Sequence, residues 1–393
     1  MRTKTSIVIA AVVLAASGTV LSAGAAGKSL KGTSCPVKGL TLNYSGLKYT
    51  CVQVTVKGKH KLEWNAGVKV APTTTTTAAP SATLPTQNFD TTPAGSLIWS
   101  ETFNAASGTS PDSNIWTPVT GYGTYGTGEI ENNTSSPANV STDGGGNLVI
   151  TAKCVATTNP GCNTASQPMG ATWTSARIWT ENKATFQYGQ LEARIWMPTG
   201  SYNWPAFWMM GQNFSSGAVD TGWPYCGELD IAEGLQNNQQ DQATIHSNIP
   251  GTATDWAEGN GLTQVAPITG ASMISGWHTY GILWKKDSIT FILDGKAWAS
   301  DTYNEKTAQV TQTIISPVTH KTTSATYGPG TAISSIGGDW PFNQPFFIIL
   351  NNAIGGVSSP IAPNGSESQM KINWIHYYKY DGVGTTTAVT AQP

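Results

Sequence analysis

Short stretches of alternating apolar and polar residues, separated by glycine-rich turns, constrain the fold of this chain more than any other feature. Residues 147–152, 190–196, 288–293 and 370–380 show the alternation that is typical of strands with one buried face. Asp294 and Gly295 follow the third stretch and give a strong hairpin signal. No stretch of helical length shows a convincing 3.6-residue period. The sequence therefore predicts an all-β fold, a sandwich of two antiparallel sheets over residues 95–381.

The N-terminal residues predict export. Arg2 and Lys4 precede an apolar run at 7–16 and a small-residue cleavage pattern at 23–25, so we assign residues 1–26 as a signal peptide. The alternative is a membrane anchor, but the run is shorter than the ~20 apolar residues of a spanning helix. We expect a secreted, extracellular protein with no membrane contact after signal cleavage.

Composition divides the rest of the chain into four segments. Residues 27–70 form a small basic module, 71–94 a Thr/Pro-rich linker, 95–381 the large domain and 382–393 a flexible tail. Only 11% of all residues are charged, and the net charge of -2 hides an asymmetry. Residues 28–70 carry +7, whereas residues 71–393 carry -11. The negative field of the larger part argues against nucleic acid as its partner.

The five cysteines fall into two closely spaced pairs and one remainder. Export permits disulfides, so Cys35 with Cys51 and Cys154 with Cys162 are candidate pairs, although spacing alone does not fix connectivity. The basic module is therefore expected to be disulfide-bonded. Cys226 is left over and is expected to be a buried, inert thiol.

The acidic segment Gly227-Glu-Leu-Asp-Ile-Ala-Glu233 carries the chemistry of the sequence. In a regular strand Glu228 and Asp230 share one face, and Glu233 turns into the core, where an unpaired carboxylate is costly. One extra residue at Ile231-Ala232, a β-bulge, returns Glu233 to the face of the other acids. Glycosidases need one ionised and one protonated carboxyl group, which such a row provides. We predict Glu228 as nucleophile, Glu233 as acid/base and Asp230 as the group that orients Glu228 and shares a proton.

Two other interpretations of the acidic segment stay open. The first is a solvated strand face that happens to be acidic. The second is a metal site that His246 completes, although mixed transition-metal sites usually contain more imidazole or thiolate. We therefore predict no metal ligands. The motif Gly121-Tyr-Gly-Thr-Tyr-Gly126 matches a dinucleotide fingerprint, but it lacks the βαβ context and is interpreted as a glycine-rich loop.

Aromatic residues near the acids favour a sugar site. Trp204, Trp208 and Trp223 lie within 25 residues of Glu228, and an indole offers an apolar face to a sugar ring and an N–H to its hydroxyls. Arg177 is a candidate for binding sugar hydroxyls or a catalytic carboxylate, with a structural ion pair as the alternative.

These motifs together resemble glycoside hydrolase family 16, in its laminarinase-like branch of endo-β-1,3-glucanases. The resemblance covers the large domain from Trp99-Ser-Glu-Thr-Phe103 through Trp204-Pro-Ala-Phe-Trp208, the acidic segment and Trp277-His-Thr-Tyr280 to Ile372-Asn-Trp-Ile-His-Tyr377. It implies a concanavalin A-like β-jelly roll and retaining hydrolysis of internal bonds. The family's nucleophile, assisting aspartate and acid/base fall on the three acids named above. Its substrate-binding residues fall on Arg177, Trp204, Trp208, Trp223 and His246.

Two features depart from the resemblance or lie outside it. Many members bind a structural Ca2+ through an early acidic segment and a late Asp. In this chain Glu101 is present in the early segment, but Asn373 stands at the late position. This weighs against calcium, and we expect that no cofactor is required. The module at 27–70 lies outside the resemblance and is interpreted either as a spacer or as a contact to an acidic cell-wall polymer.

The sequence therefore predicts a secreted, monomeric endo-glycosidase that hydrolyses β-1,3-glucan, with mixed β-1,3/1,4-glucan as a further substrate. The alternatives are a hydrolase or transglycosylase acting on another β-glycan such as a galactan, or a carbohydrate-binding sandwich without turnover.

Overall fold

The structure is a computed structural model of the 393-residue chain. It describes residues 31–32, 41–44, 47–56, 59–69, 95–122, 127–155, 162, 172–198, 203–218, 221–234, 241–247, 264–265, 276–307, 309–315, 322–327, 340–355 and 366–388. The chain divides into two units, residues 1–83 and 84–393. The predicted signal peptide, the whole predicted linker and Cys35 lie outside the described residues.

The first unit contains a small antiparallel sheet. Its strands are β1 (Thr41–Tyr44), β2 (Leu47–Val56), β3 (Lys59–Trp64) and β4 (Val68–Lys69). The long strand β2 pairs with each of the other three. Tyr49 and Trp64 are buried and supply its apolar contacts.

In its described residues, the second unit contains strands and a single short 3₁₀ helix, Gln212–Ser215. The strands are β5 (Leu97–Thr102), β6 (Thr117–Val119), β7 (Gly121–Tyr122), β8 (Asn132–Asn133), β9 (Val140–Thr142), β10 (Leu148–Cys154), β11 (Trp173–Ser175), β12 (Arg177–Trp179), β13 (Phe186–Gln187), β14 (Gly189–Trp196), β15 (Asn203–Gly211), β16 (Glu228–Gly234), β17 (Asp241–His246), β18 (Gln264–Val265), β19 (Trp277–Lys285), β20 (Ser288–Leu293), β21 (Lys296–Asn304), β22 (Gln309–Ile315), β23 (Thr322–Tyr327), β24 (Phe346–Ile354), β25 (Glu367–Tyr378) and β26 (Thr385–Thr386).

Two sheets form from these strands. The site sheet runs in the order β18-β17-β16-β15-β24-β12-β6, with β13 and β26 attached beside β24. The large sheet runs β23-β22-β21-β20-β19-β14-β25-β10-β11-β8-β7, with β5 and β9 attached. Neighbouring strands are antiparallel except β8 and β11, which are parallel. The predicted two-sheet all-β architecture is confirmed.

One apolar core lies between the sheets because each contributes one face to it. Leu191, Ala193 and Ile195 of β14 enter it from the large sheet, and Phe207 and Met209 of β15 enter it from the site sheet. All five are essentially inaccessible to solvent. The opposite face of each sheet is therefore turned away from this core. On the site sheet, that face carries polar and charged residues together with a smaller apolar cluster that includes Met210, Phe347 and Ile349.

The predicted strands are present with small shifts at their ends. The stretch at 288–293 is β20, and the hairpin after it has positive φ at both Asp294 and Gly295, as its turn requires. Cys154 and Cys162 form a disulfide, and Cys226 is free and buried, as expected. The part of the chain predicted as a tail begins with ordered structure, because β26 pairs with Phe186 and Gln187 of β13. Among the described residues, no helix has the length and apolar character to cross a bilayer.

Candidate active site

The acidic segment forms β16, and the expected bulge is present at Ile231-Ala232. On the β15 side, Glu233 lies opposite Ala206 and Ala232 opposite Phe207, but Asp230 is already opposite Trp208. One residue is therefore extra on β16. Ile231 and Ala232 are both buried in the core, and Glu233 returns to the face that carries Glu228 and Asp230.

A glycine fixes the entry into this strand. Gly227 has φ 76° immediately before Glu228, a conformation that other residues adopt only at a cost. A Cβ at this position would lie 2.7 Å from Pro341 Cγ. Both the backbone conformation and the space therefore require glycine here.

Three cross-strand rows bring the site residues together on the face of the site sheet that is turned away from the core. The first row is Arg177, Asn351, Ala206 and Glu233; the second is Trp179, Ile349, Trp208, Asp230 and Thr244; the third is Phe347, Met210, Glu228 and His246. Residues separated by up to about 170 positions in the chain thus share one surface.

Indole N–H groups bind the two outer carboxylates. Trp223 Nε1 donates to Glu228 Oε2 over 2.6 Å, and Trp204 Nε1 donates to Glu233 Oε1 over 3.0 Å. His246 Nε2 lies 3.1 Å from Asp230 Oδ2. Each acid of the row therefore has its own polar partner.

Burial raises the pKa of all three acids. Desolvation raises the pKa of Glu233 to about 7, while the hydrogen bond from Trp204 opposes the rise. Desolvation followed by repulsion from Asp230 raises the pKa of Glu228, and desolvation followed by repulsion from Glu233 raises that of Asp230. Glu228 and Asp230 also share a hydrogen bond. The row therefore retains protons at a pH where isolated carboxyl groups have lost them.

Arg177 and Trp208 are held by residues that the sequence analysis did not identify. Arg177 Nη2 donates to both carboxylate oxygens of Glu129, at 2.9 and 2.7 Å, and both side chains are buried. The Arg177 guanidinium also lies 5.5 Å from the ring centroid of Trp208, whose indole N–H donates to Asn351 Oδ1 over 2.7 Å. Glu129 lies 48 positions from Arg177, so no local pattern connects the two.

All eight predicted site residues thus lie on or beside this one face. The residues predicted to contact sugar differ in their exposure: Trp223 is 42% exposed, whereas Arg177 is 6% exposed and paired with an acid. The ion pair that the sequence left as an alternative for Arg177 is present.

Two candidate cation sites differ in what their residues offer. Glu228, Asp230 and His246 place one potential ligand atom each within 4.8 Å of one another. These atoms already bind each other and Trp223.

At the position where the resemblance implied calcium, Glu101 faces the core opposite Ile375. Asn373 Nδ2 donates to Gly146 O and to Asn147 Oδ1. Calcium binds oxygen ligands, asparagine carbonyl oxygens among them, and here the Asn373 amide N–H groups already occupy Gly146 O and Asn147 Oδ1.

A row of three neighbouring carboxyl groups on one face of a two-sheet sandwich is the kind of arrangement that glycoside hydrolases use. Residues 129–345, more than half of the chain, match the family described as Glycosyl hydrolases family 16. The chain belongs to this family, as the sequence motifs predicted.

Individual relatives agree with this assignment. The chain is 25% identical to a beta-glucanase of Rhodothermus marinus over 74% of this chain and 87% of that protein. It is 26% identical to glucan endo-1,3-beta-glucosidase A1 of Niallia circulans over 72% of this chain but only 38% of that longer protein. The laminarinase catalytic domain of Thermotoga petrophila superposes with a TM-score of 0.52 at 28% identity, covering 73% of this chain and 98% of that domain. The predicted jelly-roll sandwich is thereby confirmed.

Proposed function

We propose that this chain is a secreted retaining endo-glycosidase that hydrolyses internal β-1,3-glucan bonds, and mixed β-1,3/1,4-glucan as a further substrate. The observation that carries the proposal is the acidic row of β16, in which each outer glutamate accepts an indole N–H. The substrate class is supported by the glucanase and laminarinase relatives.

Glu233 acts as the acid in the first step. Its pKa of about 7 keeps a proton available near neutral pH, and this proton passes to the oxygen of the departing sugar. Glu228 attacks the anomeric carbon as a carboxylate and forms a covalent glycosyl-enzyme. The N–H of Trp223 stabilises the charge on Glu228 before attack.

Asp230 carries the proton of the Glu228–Asp230 pair in the reactive form. Their hydrogen bond raises the pKa of Glu228 and lowers that of Asp230, so Glu228 holds the shared proton in the resting site. For attack this proton moves to Asp230, whose O–H then donates a hydrogen bond to the ionised, oriented Glu228 carboxylate. In the second step Glu233, now ionised, removes a proton from water, and this water cleaves the glycosyl-enzyme with net retention. These steps use carboxyl groups alone, so we propose that no cofactor is required.

Product analysis tests the proposal. We expect release of oligosaccharides from laminarin and lichenan but not from agarose, with the β-anomer formed first by NMR. Release from agarose alone would favour the galactan alternative, and transfer to added sugar without hydrolysis would favour a transglycosylase. Binding of laminarin without any product would favour the carbohydrate-binding alternative.

A nucleophile variant tests the role of Glu228. Glu228→Ala should lose hydrolysis, and azide should restore turnover by forming an α-glycosyl azide, because the small anion replaces the missing carboxylate. Glu305→Ala, at an exposed acid far along the chain, is the control. Hydrolysis by Glu228→Ala at the rate of the unmodified protein would refute the mechanism.

The remaining expectations are also proposals. We propose that the protein is exported and acts as a monomer without nucleic-acid or membrane partners. The +7 charge of residues 28–70 supports contact between the basic module and an acidic cell-wall polymer.

A further inference from the structure

The face of the large sheet that is turned away from the core has an unusual surface. Leu191, Ala193 and Ile195 of β14 point into the core, so Arg194 and Trp196 point to the opposite side, which we call the outer face. Trp196 is 40% exposed there. A single exposed apolar residue is ordinary on a protein surface, so a binding surface is indicated only if Trp196 belongs to a contiguous patch.

Aromatic rings continue from Trp196 across neighbouring strands. Trp196 lies opposite Trp277 of β19, with ring centroids 6.1 Å apart. On β25, Trp374 stacks on His376 with centroids 4.1 Å apart and planes within 13°. We call Trp196, Trp277, Trp374 and His376 the aromatic strip. Flat rings of this kind bind the CH faces of sugars.

Beyond β19, the same face carries hydroxyl groups in two regular rows. Ile289 and Phe291 of β20 enter the core, which places the residues between and beside them on the outer face. One row is Thr290, Ser300, Thr313 and Ser324, and the other is Ser288, Thr302, Thr311 and Thr326. We call these eight residues the hydroxyl array.

The hydroxyl array is ordered by contacts between its own members. Thr311 Oγ1 and Thr326 Oγ1 lie 2.9 Å apart, and Thr313 Oγ1 and Ser324 Oγ lie 3.0 Å apart. Each hydroxyl has a second hydrogen-bonding capacity that such a contact does not use. The array therefore presents donors and acceptors at the spacing of adjacent strands, about 4.8 Å.

Charge decides which kind of partner fits. The hydroxyl array contains no ionisable side chain. In the aromatic strip, the Arg194 guanidinium lies 5.4 Å from the Trp277 ring, and Glu192 is buried and accepts from Gln190 Nε2. Lys371 of β25 lies opposite Trp196 and adds a cation beside the aromatic strip. A neutral, hydroxyl-rich polymer matches the hydroxyl array, because binding there requires no desolvation of charged side chains.

We propose that the outer face is a second polysaccharide-binding surface, which holds neutral insoluble glucan through the aromatic strip and the hydroxyl array. It lies on the sheet opposite to the one that carries the acidic row. The enzyme would thereby stay on a particle while the acidic row acts on a neighbouring chain. This proposal does not depend on hydrolysis and is tested without it.

Retention on insoluble β-1,3-glucan particles tests this proposal. The full chain carries Glu228→Gln so that the particles are not consumed, and a short soluble β-1,3-glucan oligosaccharide is added to occupy the acidic face. Adding Trp196→Ala should weaken retention about tenfold, equivalent to about 1.4 kcal/mol. The pair Thr311→Val and Thr313→Val, which preserves side-chain shape, should weaken it in the same direction.

Controls separate binding from folding and from catalysis. Thr323→Val lies on β23 but on the other side of the strand from Ser324, and should leave retention unchanged. Trp196→Ala in the active protein should keep kcat/KM on a soluble oligosaccharide within about twofold. Undiminished retention of folded Trp196→Ala and Thr→Val variants would overturn the proposal. So would a change from dimer to monomer in sedimentation with Trp196→Ala, since the face would then bind a second copy of the chain.

Discussion

Trp223 donates its indole N–H to Glu228 across 2.6 Å while its ring remains 42% exposed. One side chain therefore serves both functions that an indole offers, with its polar atom on an acid of the row and its flat surface open to solvent. Trp204 makes the corresponding bond to Glu233. Two of the three tryptophans predicted to bind sugar, Trp204 and Trp223, are thus also partners of the acids.

Trp223→Phe tests the hydrogen bond apart from the ring. Phenylalanine keeps an aromatic surface but removes the donor, and a hydrogen bond to a charged group contributes about 1.5–3 kcal/mol. We expect kcat on laminarin to fall about tenfold to a hundredfold with a smaller change in KM. Trp223→Ala should raise KM as well, because it removes the ring. Equal kcat in Trp223→Phe and the unmodified protein would contradict this role.

The bond from Trp204 predicts a shift in the pH profile. Glu233 must be protonated to act as the acid, so activity should fall as pH rises through its pKa of about 7. The N–H of Trp204 stabilises the carboxylate and lowers this pKa. Trp204→Phe should therefore move the alkaline limb of kcat/KM to higher pH. Trp208→Phe, whose indole bonds Asn351 instead, should leave the limb in place.

The buried pair of Arg177 and Glu129 predicts a non-additive response. Removing the carboxylate in Glu129→Leu leaves the guanidinium without its neutralising partner, and breaking such a pair costs about 3–5 kcal/mol. The double variant Glu129→Leu/Arg177→Met should be more stable in urea unfolding than Glu129→Leu alone. If the loss in the free energy of unfolding of the double variant equalled the sum of the losses of the two single variants, the two side chains would not stabilise each other.

The raised pKa of Glu131 predicts that the protein loses stability as pH rises from about 4.5 to about 8. Desolvation first, and then repulsion from Glu129, raises the pKa of this carboxyl from 4.5 to about 8, and Glu131 Oε2 accepts the N–H of Ile354. The folded state therefore prefers the proton. Its contribution is fully present below the unfolded pKa and is lost progressively as pH rises towards about 8. Glu131→Gln keeps an acceptor but does not ionise, so its Tm should exceed that of the parent at alkaline pH, with the difference shrinking towards pH 4. Glu305→Gln, at an exposed acid, should show no such pH-dependent difference in Tm.

The alternation of the sequence predicted the strands of the sandwich because burial of one face is a local property that every strand repeats. The bulge was equally predictable, since only an extra residue keeps Glu233 out of the core. Glu129 and Asn351 were not predictable in this way. Asn351 reaches Trp208 only because β24 pairs with β15. Glu129 forms a bridge with Gly355, just after β24, and reaches Arg177 because β24 also pairs with β12. Nothing in the immediate sequence of either residue encodes these contacts. The exposure of Trp196 likewise depends on which face of β14 meets the core.

Because of the bulge on β16, the same three acids share one face although the strand contains an extra residue. Both residues at the bulge, Ile231 and Ala232, go to the core, so the strand gains an apolar contact without moving an acid. Deleting Ala232 would restore strict alternation and would still align the three carboxyl groups, with the second glutamate opposite Ala206 as before. Loss of one residue at this point would therefore change the packing beneath the acids and reduce the local twist of the strand. The three carboxyl groups would stay on the same face.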